Sequence, residues 1–354
     1  MFTSPLRGLA AAVCLLAGVL GTTTVQAKEA TTEPVNVDAG FNAAERAAQL
    51  VKVSESQWLK GLVRVAVPQF SVQFVTFDSA TAETSGFGAA GRARVTSSYQ
   101  LSGVSEPDFQ AMTEALYLEF LQALRSSGLD VLPYTQVSAA PSYARLLASG
   151  VMAPLREDTG VTVAPAGMGL YGTHRAVVST GSKNAGPFGS LSGFASVTSA
   201  IASVGDMQAL SKELGDAALL EVHMVVNFVE LTNHNKGFFG RLTSTASVGA
   251  KTSPSVGSAT MGVQVGANRS SLKLGQPLVL DATAFKEVRE QARSTGDKVG
   301  AVAVAVLAAA IGSKDRNSSE TMEAVADPAL YRQVVGGGLG LVGQMFAQQL
   351  KAER

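Results

Sequence analysis

The sequence predicts an α+β fold: a mixed sheet packed by helices, with long β-hairpins and a helical C-terminal segment. Two helix–glycine–strand units, around Ser105–Leu132 and Asp206–Leu231, supply the alternation of element types. Runs with period two, such as Val63, Val65 and Val67, supply the strands. Residues 294–354 hold an Ala/Val run and a glycine-rich stretch with helical start signals, which places helix at the end.

Residues 1–27 are expected to be a signal peptide. Arg7 gives a positive n-region, Leu9–Leu20 an apolar h-region too short to anchor, and Val25-Gln26-Ala27 a small-x-small cleavage site. A Sec-type signal with cleavage after Ala27 places the mature chain in the periplasm or outside the cell. Cys14 follows Val13 inside the apolar run, which argues against lipid attachment. Residues 28–60 read as an N-terminal leader and a short helix over Asn42–Lys52. Trp58, the only tryptophan, reads as a packing anchor.

Residues 61–293 read as one α+β domain. Phe70, Val72 and Phe74 continue the Val63–Val67 strand past Pro68, which demands an edge or a bulge there. Residues 78–101 form a hairpin with its turn at Ser85-Gly86-Phe87-Gly88. Ser105 and Asp108 make a capping box with Pro107 in the first turn. Phe109, Met112, Leu116, Phe120 and Leu124 form the helix stripe that Gly128 ends, and Leu129–Leu132 is a short strand. Pro141–Ser149 is a short helix, Val161–Val178 a broken strand and Ser179–Gly193 a loop. Asp206 is expected to cap a helix ended by Gly215, before the strand Ala217–Leu231 with its apolar face at Leu220, Val222, Met224, Val226 and Phe228. Asn233–Gly240 reads as a turn. Leu242–Ala250 and Met261–Ala267 read as two arms about Ser253-Pro254-Ser255, and Ala282–Arg293 as a charged helix.

Residues 294–354 read as a helical Ala/Val- and Gly-rich segment. Val299–Ile311 is a buried helix by composition, too short to span a membrane. Asp327-Pro328 opens the last helix, towards Leu350. Its glycines at 336, 337, 338, 340 and 343 each cost ~1 kcal/mol in a helix interior, so they need a packing reason or a break.

Composition excludes several classes. Basic and acidic residues balance at 28 each, and the basic ones are dispersed, so no nucleic-acid surface is implied. With Cys14 in the leader, the mature chain is disulfide-free and has no thiol nucleophile or thiolate metal site. No Asp or Glu occurs in 84–105, 159–205 or 231–280. These tracts fit exposed hairpins first and strands meeting something other than bulk water second.

No Walker loop, H-E-x-x-H or G-x-S-x-G is present. Gly338, Gly340 and Gly343 match a dinucleotide fingerprint in spacing but follow no strand, so they read as close helix packing. His174, His223 and His234 have no second ligand at metal spacing, and His234 reads as part of a turn. Glu221, His223 and Asn227 share one strand face, which permits a general base, although such a row reads first as the strand's solvated side. The expectation is no catalytic, cofactor-binding or metal-binding residues, no cofactor and no enzymatic activity.

The segment EALYLEFLQALRSSG followed by LDVLPY, then MQALSKELGDAALLEVHMVVNFVEL, alternating strands and LVLDATAFKEV, carries a resemblance over about Leu62–Val288. In order of elements it resembles the α/β fold shared by the curli-export pore component and the TolB amino-terminal domain. The pore component's lipid-anchor cysteine is absent, and residues 294–354 have no counterpart. The resemblance implies a non-enzymatic envelope protein that oligomerises or docks to partners. It also makes the acid-poor hairpins candidate membrane-inserting arms, each near the ~9–11 residues a tilted strand needs.

The function expected is that of an exported assembly, scaffold or secretion-accessory component acting through protein–protein contacts in the cell envelope. The alternative is an oligomeric outer-membrane pore subunit built from hairpins near Thr84–Leu101 and Arg241–Leu274. A secreted hydrolase is the third reading. Partners are envelope proteins, with a homo-oligomer and membrane-surface contact left open, and no nucleic acid.

Overall fold

A computed structural model describes residues 33–85, 92–171, 204–234, 247–290 and 316–354. The signal peptide, the hairpin turn at 86–88, His174, the 179–193 loop and the Val299–Ile311 run lie outside the described residues.

The N-terminal strands are β1 (Val35–Asn36), β2 (Val51–Ser54), β3 (Arg64–Val75), β4 (Phe77–Ser85), β5 (Arg92–Ser102) and β6 (Asp130–Val131). Next come β7 (Val151–Met152), β8 (Leu155–Glu157), β9 (Gly160–Val163), β10 (Gly169–Leu170), β11 (Ala218–Asn227) and β12 (Glu230–His234). The last are β13 (Ser247–Lys251), β14 (Ser255–Val265), β15 (Asn268–Leu274), β16 (Leu278–Val279), β17 (Phe285–Glu290) and β18 (Arg316–Ala326). The main sheet has the order β1-β16-β14-β11-β3-β9-β8, with β15 joining β14 to β2 and β6 beside β3. A four-stranded sheet has the order β17-β18-β5-β4, and β7–β10 and β12–β13 are separate ladders. The helices are α1 (Ala43–Leu50), α2 (Glu106–Ser126), α3 (Tyr134–Ala139), α4 (Pro141–Ser149), α5 (204–213) and α6 (Pro328–Glu353). This is an α+β fold.

The two central strands, β3 and β11, run parallel, and Pro68 sits between them at a bulge. Leu219 faces Ala66 and Glu221 faces Gln69, so Val67 and Pro68 together oppose Leu220. The extra residue shifts the alternation by one. Val65 and Val67 before it, and Phe70, Val72 and Phe74 after it, therefore all enter the same core. On the other flank β6 covers Arg64 and Val65 and β9 covers Val72–Val75, so Pro68 interrupts neither ladder.

That core is closed by α2 and α6. Asp108 accepts from the Ser105 N–H at 3.0 Å and from its hydroxyl at 2.5 Å, and Gly128 ends the helix region at φ +89°. Phe109 stacks on Phe74 with ring centroids 4.3 Å apart, and Phe70 meets Tyr117 at 5.5 Å and Phe120 at 5.7 Å. Tyr331 of α6 completes the aromatic layer 6.3 Å from Phe109. A second apolar cluster lies under α3, α4 and α5, where Tyr143, Leu146, Leu210 and Leu214 pack with Ala66 and Leu219.

The glycine-rich stretch neither breaks nor kinks α6, which is helical from Pro328 to Glu353. At Gly338 a Cβ would come within 2.5 Å of the Leu280 side chain, and at Gly343 within 3.5 Å of Phe120. Gly336 and Gly337 face open space. Close packing explains Gly338; at Gly343 a Cβ would make ordinary contact, so neither it nor Gly336 and Gly337 is required by packing.

Several elements differ from expectation. Of the helix expected over 282–293, the described residues 282–290 are not helical: a 3-10 turn at Ala282–Ala284 leads into β17, whose backbone finds a ladder partner in β18. β18 itself lies in the stretch expected to be helical, and pairs in parallel with β5 from Arg316 to Val325. The two arms about Ser253-Pro254-Ser255 do not pair with each other: β13 joins β12, while β14 joins β11 and β15. Helix α5 begins before Asp206, which instead holds Arg145 at 2.7 Å. Asn233 and His234 belong to strand β12 rather than a turn. Trp58 is 40% exposed on a 3-10 turn, and its neighbour Leu59 is the buried residue.

Gly336→Ala should stabilise the fold by about 0.5–1 kcal/mol, since it removes unfolded-state freedom without a clash. Gly338→Val should destabilise it by about 1–3 kcal/mol by overpacking against Leu280. Urea unfolding of the two variants, which should move in opposite directions, checks both.

Candidate functional site

The strand face turned away from α2 and α6 is polar, and strand register sorts it into two rows. One row runs Gln69, Glu221, Gly262, Ser271 and Ser54 across β3, β11, β14, β15 and β2. The adjacent row runs Ser71, His223, Thr260, Lys273 and Lys52.

The β11 part of this face is not solvated, as its polarity suggested. Glu221 and His223 are each 4% exposed, and Gln69 and Ser71 are fully buried. Alternation along a strand reports polarity and not access to water, because a face is buried by what packs over it rather than by the pairing of its edges. Asn227 stands apart from the pair, at the end of β11. A Cβ at Gly257 would come within 2.2 Å of its amide nitrogen, so a glycine leaves it room.

Arg269 reaches Glu221 at 2.7 Å. Its guanidinium crosses over Gly262, where a Cβ would come within 2.6 Å of Nη2. The glycine is thus the condition for the ion pair. Burial raises the Glu221 carboxyl above its ordinary value, and Arg269 pulls it back only in part. The Ser71 hydroxyl lies 2.9 Å from Nδ1 of His223, and burial pushes that ring down to about 4. His223 is therefore neutral at pH 7.

Beside this pair the buried Tyr171 donates its N–H to Oε1 of Gln69 at 3.4 Å. Burial, and then the Glu221 charge, hold its hydroxyl far above the ordinary range. Tyr143 donates to the Pro68 carbonyl at 3.0 Å, which ties the bulge to α4. Among the described residues, Nε2 of Gln69 and the Tyr171 hydroxyl have no hydrogen-bond partner.

Chemically, Ser71 and His223 have the spacing of a nucleophile and its base. But Ser71 is fully buried in a central strand, and Glu221 is committed to Arg269. The arrangement holds strands together and presents no attacking atom to a substrate. Among the described residues no group of three His, Cys, Asp or Glu side chains could hold a metal, and no helix is long and apolar enough to cross a membrane. His234 contributes its backbone to the β12–β13 ladder, which is separate from the sheet that holds His223.

The four-stranded sheet is a surface of a different kind. β4 and β17 are its outer strands and pair with nothing further among the described residues. One face carries Ser79, Thr81, Thr96, Ser98, Gln100 and Glu323, with Thr81 and Thr96 bonded at 3.0 Å and Arg289 paired to Glu323 at 2.9 Å. The other carries Ala80, Val95, Tyr99, Met322 and Val288, interrupted by Asp78, Ser97, Glu290 and Glu320, while Phe77 lies on the first face opposite Gln100. The alternation seen along residues 93–101 pointed to β5; nothing in the sequence pointed to β18 beside it.

Gly262→Val should displace Arg269, leave Glu221 unpaired and cost about 3 kcal/mol in unfolding free energy. Stability should also depend on pH through His223. Its folded value is depressed, so the unfolded chain binds the proton first as pH falls from 6.5 towards about 4. Stability is then lost across that window, by up to ~3 kcal/mol, and a pH series of urea midpoints should lose this slope in His223→Gln. The chain matches no family model, no curated protein and no solved structure.

Proposed function

We propose that this is an exported, non-enzymatic component of the cell envelope that assembles with other protein chains through the four-stranded sheet. The observation that supports this reading is its pair of outer strands, β4 and β17, each hydrogen-bonded in a ladder on one side only among the described residues. Unpaired backbone donors and acceptors along an edge are a template for another strand, and soluble monomers generally blunt them. The two edges are different strands, so a copy offering β4 to the β17 of the next makes a head-to-tail contact that closes into a ring or extends.

A second reading, a pore subunit, is favoured by the contrast between the two faces of that sheet. β5 and β18 each have 11 residues, or ~36 Å at about 3.3 Å per residue, against a hydrocarbon layer of about 30 Å. Asp78 and Glu320 on the less polar face count against immersion of its whole length. The secreted-hydrolase reading finds no support in the buried Ser71–His223 pair.

Ser79→Cys on β4 and Lys286→Cys on β17 test the assembly. In the double variant, oxidation should give a ladder of covalent multimers, while each single variant stops at dimers. A double variant that remains monomeric after oxidation, with parent protein monomeric at micromolar concentration, would sink the reading. Dye release from liposomes by the parent, absent when β4 and β5 are deleted, would select the pore.

A further inference from the structure

The cavity over the polar rows, lined by Glu221, His223, Thr260, Arg269, Ser271 and Lys273, brings two cationic side chains next to several hydroxyls. We propose that it binds a small phosphate-bearing ligand.

The charges come first. Glu221 is ion-paired to Arg269 at 2.7 Å but its Oε2 makes no well-aligned hydrogen bond, while the Arg269 side chain is 42% exposed and its five N–H donors are not all used by one carboxylate. Lys273 and Lys52 stand directly opposite each other on β15 and β2, both exposed. Among the described residues neither has a carboxylate within ion-pair distance. Like charges directly opposed across a strand pair are unfavourable, and an anion between them relieves this. The 231–280 tract that supplies β14 and β15 holds no acid. Glu55 at the rim is the one further carboxylate lining the cavity, and it accepts from Gln57 at 2.6 Å.

Hydrogen-bonding capacity agrees with the charges. Thr260, Ser271 and Ser258 add hydroxyls. Hydroxyl donors next to the exposed Arg269 and Lys273 suit an acceptor-rich anion, and a phosphate group offers several strong acceptor oxygens. The proposal does not depend on how the chain assembles.

The thermal midpoint of the purified protein, titrated with sodium phosphate against sodium chloride of equal ionic strength, reads this site. The midpoint should rise and saturate with phosphate alone. Lys52→Ala/Lys273→Ala, both exposed positions, should leave the phosphate-free midpoint equal or slightly higher, since the opposed charges are gone, and weaken the response about tenfold or more. Equal responses to phosphate and chloride, or an undiminished response in the double variant, would overturn the proposal. Co-sedimentation with phosphatidylglycerol and phosphatidylcholine vesicles separates the sources. Binding to the anionic vesicles that the double variant loses identifies a lipid headgroup. Inorganic phosphate binding without vesicle binding identifies a free phosphorylated molecule, and vesicle binding that survives the double variant counts against the site.

Discussion

The bulge at Pro68 is the constraint on which the rest of the architecture depends. A strand buried on both faces must keep its large side chains on one side over its whole length, and a one-residue slip moves all of them to the other. β3 contains such a slip, and the two residues opposing Leu220 absorb it. Before the bulge the odd positions enter the core and after it the even ones, so Phe70 and Phe74 meet the aromatic side of α2. The same shift puts Gln69, Ser71 and Gln73 on the opposite face, across from Glu221, His223 and Val225. The polar rows thus exist because the apolar layer was kept in phase.

Polar rows in the middle of a sheet are costly unless their members satisfy one another. An isolated buried carboxylate carries a desolvation penalty of several kcal/mol, which a single guanidinium partner only partly offsets. Glu221 shows the residue of that imbalance in its raised protonation equilibrium. Its support is long-range: Arg269 comes from two strands away and needs the bare backbone of Gly262 to reach across. Tyr143 and the Pro68 carbonyl do the same on the other side, fastening a helix to the bulge that shapes the row.

What could be read from the chain follows the range of the interaction concerned. The α2 cap, its apolar stripe and the glycine after it depend on neighbours within four residues, and the capping box, Pro107 and Gly128 announced them. The choice at Pro68 between edge and bulge was likewise local, because proline removes a donor wherever it stands. The fate of Phe285–Glu290 was not, because Lys, Glu and Arg favour helix and only a ladder with residues 316–326 draws them into a strand. Glu221 and His223 were legible as one face of a strand, but their burial depends on neighbours that alternation does not name. Arg269 carried no signal at all, since only the register of β14 and β15 brings it over Gly262.

The pairing of β5 with β18 has a consequence for how the chain folds. Its partners are more than two hundred residues apart, from Ala93 with Arg316 to Ser102 with Val325. The core over β3 and β11 is likewise closed by α6, through Tyr331, Leu339 and Phe346. Contacts of such separation form late, because the intervening chain must be confined before they return any energy. Until residues 316–353 arrive, α2 has an apolar flank without a cover and β5 an edge without a partner. The fold is therefore complete only once residues 316–353 are in place, so a chain truncated before them leaves both the α2 flank and the β5 edge uncovered.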